Sequence, residues 1–163
     1  MPLKPSPPPP PLPDTDVQAQ PGYLIRRLHQ IAVAMFLQET DAFGLTSVQY
    51  AALQSVCNQS GMDQRTLAMR LGLDTSTVAG VVDRLEKRGW CVRTHAPHDR
   101  RVRLLQATPE GQALIAQIVP HMLRAQERIL APLNAAQQKD FLEMLHRLVQ
   151  DNNDHSRAPQ GDV

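Results

Sequence analysis

The middle of this chain is punctuated so closely that it admits only short elements. Gly61, Gly72 and Gly89 divide it, and each stretch between them carries its own start signal. Asp63 is a ready N-cap for a helix that runs to Leu71, where Gly72 supplies the break. A second helix opens at Asp74 or Thr75 and continues to about Arg88, stopped by Gly89. Within it Val78, Val81, Val82 and Leu85 fall at i, i+3, i+4 and i+7, which makes one apolar face. The other side presents Ser76, Thr77, Gly80, Asp83, Arg84 and Lys87. Two strand candidates follow, Cys91–His95 and Arg101–Gln106, around the polar turn Ala96-Pro97-His98-Asp99-Arg100, so a β-hairpin is expected there.

Longer helices flank this core. Pro21 suits a first helical position, and the helix it opens carries two adjacent apolar stripes. Leu24, Leu28, Ile31 and Met35 form one, and Ile25, Ala32 and Phe36 form the other. Two stripes exceed what one packed neighbour requires and predict burial on two sides, as at a dimer interface. The pattern ends near Asp41, and Gly44 breaks it. Thr46 and Gln49 make a capping box for the next helix, whose apolar face is Val48, Ala52, Leu53 and Val56. Beyond the hairpin, Thr108-Pro109-Glu110 starts a long helix in which Pro120 is expected to produce a kink rather than an end. Asn134 and Gln137 then cap a last helix with Phe141, Leu142, Leu145, Leu148 and Val149 on one face. Residues 1–20, rich in proline, read as a disordered leader, and residues 152–163 as a flexible tail.

Charge is distributed unevenly. From Gln64 to Arg103 there are nine basic residues and four acids, a net of +5 in a chain whose total is +1. A basic block in an otherwise acidic chain is the footprint of a face that binds a polyanion, although a solvated surface would look the same. No run approaches the ~18 consecutive apolar residues of a transmembrane helix, and the proline run occupies the place of a secretory signal. A cytoplasmic protein is expected, with no membrane partner. Cys57 and Cys91 stand in no CxxC pattern and read as small buried hydrophobes, with a thiol redox sensor as the sharper alternative. The six histidines show no HExxH spacing. There is no nucleophile elbow or phosphate-binding glycine loop, so enzymatic activity is not expected, and no cofactor or metal is implied.

Short helix, turn, second helix and two-stranded hairpin, in that order, are the layout of a winged helix-turn-helix. In such modules the second helix enters the DNA major groove. The fold expected is therefore mainly α with a small β-hairpin wing. A winged helix-turn-helix domain (46–107) would be flanked by helices over 21–42 and 108–151. Thr75, Ser76 and Thr77 would contact base edges or phosphates, and Gly80 would allow close approach to the groove floor. Arg84 and Lys87 would meet the rising backbone. On the wing, Arg100, Arg101 and Arg103 would reach a narrow minor groove, with Asp99 as an internal partner that holds the turn in shape.

The run from Thr77 to Trp90, Thr-Val-Ala-Gly-Val-Val-Asp-Arg-Leu-Glu-Lys-Arg-Gly-Trp, resembles the recognition helix of the MarR family of regulators. Asp99-x-Arg101 and Ala107-Thr108-x-x-Gly111 are similar to that family's wing-to-helix signature, and the resemblance covers roughly residues 21–150. Gly80 departs from the basic or larger polar residue frequent there, and Ala107 from the usual leucine. The resemblance implies a homodimer built on the N- and C-terminal helices, binding double-stranded DNA at a pseudo-palindromic site. It also implies a repressor released by a small phenolic or aromatic carboxylate effector. The first helix is similar to those of relatives that control aromatic-acid catabolism, nicotinate breakdown included. Arg26, His29 and Tyr50 are the candidate effector contacts, Arg26 for its bidentate reach to a carboxylate and Tyr50 for stacking. The competing reading is a protein-interaction module that uses the helical bundle, with the basic block incidental.

Overall fold

The computed structural model describes residues 16–96, 99 and 101–161. After a short 3-10 turn capped by Asp16, α1 (Pro21–Thr40) leads to α2 (Ser47–Asn58). Then come β1 (Met62–Asp63), α3 (Gln64–Leu71) and α4 (Thr75–Lys87). The hairpin strands are β2 (Cys91–His95) and β3 (Arg103–Ala107), followed by α5 (Pro109–Leu130) and α6 (Ala135–Asp151). The fold is mainly helical with one small antiparallel sheet, as the sequence implies.

Local chemistry explains the boundaries. Thr46 and Asn134 each form complete capping boxes, with Gln49 and Gln137 respectively. Asp63, Asp74 and Thr108 accept from the third backbone amide of their helices. These bonds satisfy N–H groups that have no partner inside the helix. Gly72 ends α3 in the left-handed region at φ +61°, where its amide reaches back to the Ala68 and Met69 carbonyls. α5 runs through Pro120 without interruption.

The sheet has the order β1-β3-β2, so the hairpin gains a third strand of only two residues, Met62 opposite Leu105 and Asp63 opposite Leu104. Sequence periodicity gives no sign of β1, because two residues carry no period. β3 begins at Arg103 rather than Arg101. The Val102 amide bonds the Asp99 carbonyl, and the Asp99 carboxylate accepts from the Arg101 amide, so that stretch belongs to the turn.

Leu53 and Val56 of α2, Leu67 of α3, Val78, Val82 and Leu85 of α4, Leu105 of β3 and Ile118 of α5 form one buried cluster. α1 packs along α5 and is pinned to it by Glu39, which pairs with Arg124 (3.3 Å) and Arg128 (2.8 Å). Among the described residues α6 has no comparable partner. It borders two apolar clefts with α1, of about 290 and 490 Å3, where Ile25, Leu28, Phe141 and Leu145 converge. Leu24, Ile25 and Ile31 of α1 and Leu142, Met144, Leu148 and Val149 of α6 stay exposed. Of the two stripes of α1, Phe36 is buried within the chain, while Leu24, Ile25 and Ile31 are not.

The segment after Asp151, expected to be a flexible tail, folds back on α3. Asn153 and Gln160 exchange two hydrogen bonds (2.9 and 2.8 Å), and the Gln160 amide donates to the Arg70 carbonyl (2.7 Å). Side-chain amides satisfy backbone groups there, which a polar composition alone does not announce. The leader expected over residues 1–20 falls outside the described residues up to position 15.

Candidate nucleic-acid interface

α4 turns Val78, Val81, Val82 and Leu85 into the core, which forces its other face outward. Thr75, Ser76, Thr77, Arg84 and Lys87 are exposed, and Gly80 is partly so. At the helix start the Asp74 carboxylate gathers three donors. They are the Thr77 amide (2.8 Å), the Thr77 hydroxyl (2.6 Å) and the Ser76 hydroxyl (2.5 Å). The Ser76 and Thr77 hydrogen bonds hold the Asp74 carboxyl well below the usual carboxylate range. At Gly80 an added Cβ would meet nothing within 4 Å, so the space in front of the helix there is open.

The wing is fastened to this helix by Arg93 of β2. Its guanidinium pairs with Asp83 (2.8 Å) and Glu86, and reaches the Gln64 side chain (3.3 Å) and the Ala79 carbonyl (3.5 Å). Its backbone amide also donates to Glu86 (2.8 Å). Burial works against this charge, but the Asp83 bond and the Glu86 carboxylate outweigh it and raise the guanidinium pKa. Arg93 therefore clamps sheet to helix and offers little charge outward. Sequence reading counts it in the basic footprint and misses this role.

Arg88 is likewise engaged elsewhere. It donates to the Gly44 carbonyl (3.0 Å) and lies over the Trp90 ring, 4.9 Å from its centroid, tying the α1–α2 junction to the end of α4. Arg70 donates to Gln59 (2.8 Å). Of the wing arginines, Arg101 and Arg103 are exposed, and Arg100 lies outside the described residues. Asp99 holds the turn as expected, but through the Arg101 backbone amide, since a carboxylate so close in sequence meets that N–H first.

The joint between wing and α5 explains the Thr108-x-x-Gly111 pattern. The Thr108 hydroxyl donates to the Gly89 carbonyl (2.6 Å), while the Thr108 amide donates to the Trp90 carbonyl (3.1 Å). Gly111 packs against that same carbonyl so tightly that a Cβ would lie 2.1 Å from its oxygen.

A separate cavity of about 260 Å3 lies between α1, α2 and α5. His29, Phe36, Ser47, Tyr50, Met122 and Gln126 line it. The Phe36 and Tyr50 rings are 5.6 Å apart, and the Tyr50 hydroxyl donates to Gln54 (3.2 Å). His29 and Tyr50, singled out from sequence, thus reach one space. Arg26 does not. It stacks over Tyr23, 5.1 Å from the ring centroid, because helical side chains lean towards the residue three earlier.

An amphipathic helix with a polar outer face, clamped to a three-stranded sheet with arginines at its end, defines a winged helix-turn-helix DNA-binding protein. Known proteins agree. The MarR family model matches residues 45–102. The transcriptional repressor NicR of Pseudomonas putida is 29% identical over 134 residues, spanning 82% of this chain and 85% of NicR. Among solved structures, BpsR of Bordetella bronchiseptica is 30% identical with a TM-score of 0.79, covering 82% of this chain and 96% of BpsR. PcaV of Streptomyces coelicolor, in complex with its natural ligand, is 34% identical with a TM-score of 0.77, covering 85% of this chain and 98% of PcaV. The chain belongs to the MarR family of transcriptional regulators. No helix among the described residues is long and apolar enough to cross a membrane.

Proposed function

We propose that the chain is a homodimeric repressor that binds a pseudo-palindromic operator in the cytoplasm and releases it on binding a small aromatic acid. The observation that carries the DNA half is the exposed face of α4. Thr75, Ser76 and Thr77 lie at its tip, Arg84 and Lys87 farther along, and Arg101 and Arg103 on the wing held beside it. Exposed apolar residues on α1 and α6 support the dimer. Leu24 and Leu148 are each about half exposed, and such faces gain from burial against a second copy. Two-fold symmetry would place half-sites about one helical turn apart.

The effector half rests on the cavity. Two aromatic rings form its wall, and His29, Ser47 and Gln126 supply polar ends, a pattern suited to a small ring bearing a carboxylate or hydroxyl. BpsR, whose DNA binding is regulated by 6-hydroxynicotinic acid, supports this class of ligand. The test is binding of the purified protein to DNA upstream of its own gene and to random DNA, across a salt series. Selective binding that weakens as salt rises, and that 6-hydroxynicotinate or another aromatic acid relieves, is expected. Binding to neither DNA at low salt refutes the repressor reading and favours a protein partner for the helical bundle.

A further inference from the structure

A hydroxyl group has one hydrogen to donate and two lone pairs that accept. At the tip of α4 both hydrogens are already committed, since Ser76 and Thr77 donate to the two oxygens of Asp74. What these side chains turn outward is oxygen lone pairs, with the Asp74 carboxylate behind them. Phosphate oxygens, guanine O6 and N7, adenine N7 and thymine O4 are all acceptors and would be repelled. In the major groove, only the exocyclic amino groups of adenine and cytosine donate. Arg84 and Lys87 lie seven or more residues beyond Thr77 along α4, roughly 10 Å or more at the helical rise.

We propose that Asp74 fixes the polarity of the Ser76 and Thr77 hydroxyls, making the tip of α4 a reader of adenine N6 or cytosine N4 amino groups and not a phosphate clamp. Asp74 is then a positioning residue for base selectivity, acting through the two hydroxyls. The inference rests on the operator-binding reading above and adds which base atoms are read.

The experiment uses the full chain and an operator recovered from a random duplex pool. Each half-site adenine is replaced in turn by purine, which lacks the 6-amino group. Each cytosine is replaced by pyrimidin-2-one, which lacks the 4-amino group. Affinities are measured for the wild type, Asp74→Asn and Thr77→Val. For the wild type, amino deletion at one or two positions per half-site should weaken binding roughly fivefold per lost hydrogen bond. Asn still caps the helix, but its NH2 donates to a hydroxyl and frees that hydroxyl's hydrogen. In Asp74→Asn the amide oxygen keeps the Thr77 N–H and the Ser76 hydroxyl and the NH2 faces the Thr77 hydroxyl, so the penalty at the position Thr77 reads should fall below about twofold, and affinity for random duplexes should rise because a negative charge is gone. Thr77→Val, which has no hydroxyl, should lose the penalty at its own position without that rise. Tight operator binding that ignores every amino deletion overturns the proposal, as does an undiminished penalty in both variants. If the wild type selects no operator at all, the operator reading itself fails, and this proposal falls with it.

Discussion

Gly111→Ala isolates the joint between wing and α5. The new methyl would lie 2.1 Å from the Trp90 carbonyl oxygen, about 1.2 Å inside the ~3.3 Å at which carbon and oxygen rest in contact. The obstacle is backbone, and that carbonyl also accepts from the Thr108 amide, so it cannot swing away freely. Overpacking of this kind costs about 1–3 kcal/mol, and a strained Thr108–Trp90 hydrogen bond adds about 1 kcal/mol. Against this, alanine gains about 0.5–1 kcal/mol over glycine in a helix. A net destabilisation of about 2 kcal/mol follows, a fall in Tm of roughly 4–8 °C for a chain of this size. The assay is a thermal melt of both proteins at one protomer concentration, because a dimer's Tm depends on it. A melt within about 1 °C of wild type would falsify the claim that this glycine is required by contact.

Gly80→Ala is the counterpart, since its Cβ meets nothing in the protein; it should stabilise by about 0.5–1 kcal/mol while weakening operator binding severalfold. Unchanged operator affinity in a titration would mean that α4 does not approach the groove floor closely. Arg93→Met should destabilise by about 1–2 kcal/mol, less than for a fully buried pair because Asp83 is 56% exposed and Glu86 30%. It should also weaken DNA binding, with two carboxylates left unpaired beside the groove; urea melts and the same titration check both effects, and a variant that melts like wild type refutes the clamp. The salt slope tests how many cations of the basic block remain for DNA. With Arg70, Arg88 and Arg93 engaged internally, six basic residues per protomer remain from Gln64 to Arg103, so log K should fall with log salt no more steeply than about −11 for the dimer. Burial and the Glu86 carboxylate push the Cys91 thiol up to about 11, so a disulfide reagent at pH 8 should label it only after unfolding. Fast labelling of the native protein at Cys91 would favour the redox-sensor alternative.

Elements whose ends carry their own chemistry were legible in the sequence. The caps at Thr46, Asp63, Thr108 and Asn134 and the stop at Gly72 need only neighbouring residues, and each is found as read. The polar face of α4 follows from its apolar one for the same reason. What sequence could not show depends on contacts closed by the fold. β1 exists only through its pairing with β3. Arg93 looks like one more surface cation until the sheet brings it against Asp83 and Glu86. Arg26 lies one turn from His29, yet its direction along the helix carries it to Tyr23 and away from the cavity.

The joint at Gly111 also has a mechanical consequence. With Thr108 bonded to the Gly89 and Trp90 carbonyls and no room for a Cβ at Gly111, the first turn of α5 is fastened to the root of the wing. α5 is then an arm roughly 33 Å long at 1.5 Å per residue. Met122 and Gln126, which line the cavity, lie roughly 17–23 Å along that arm from its fixed end. A sideways push of about 1 Å at that distance is a rotation of roughly 3° about the joint. Were the wing and α4 to share that rotation, filling the cavity would turn the helix beside the wing with the leverage of a long handle.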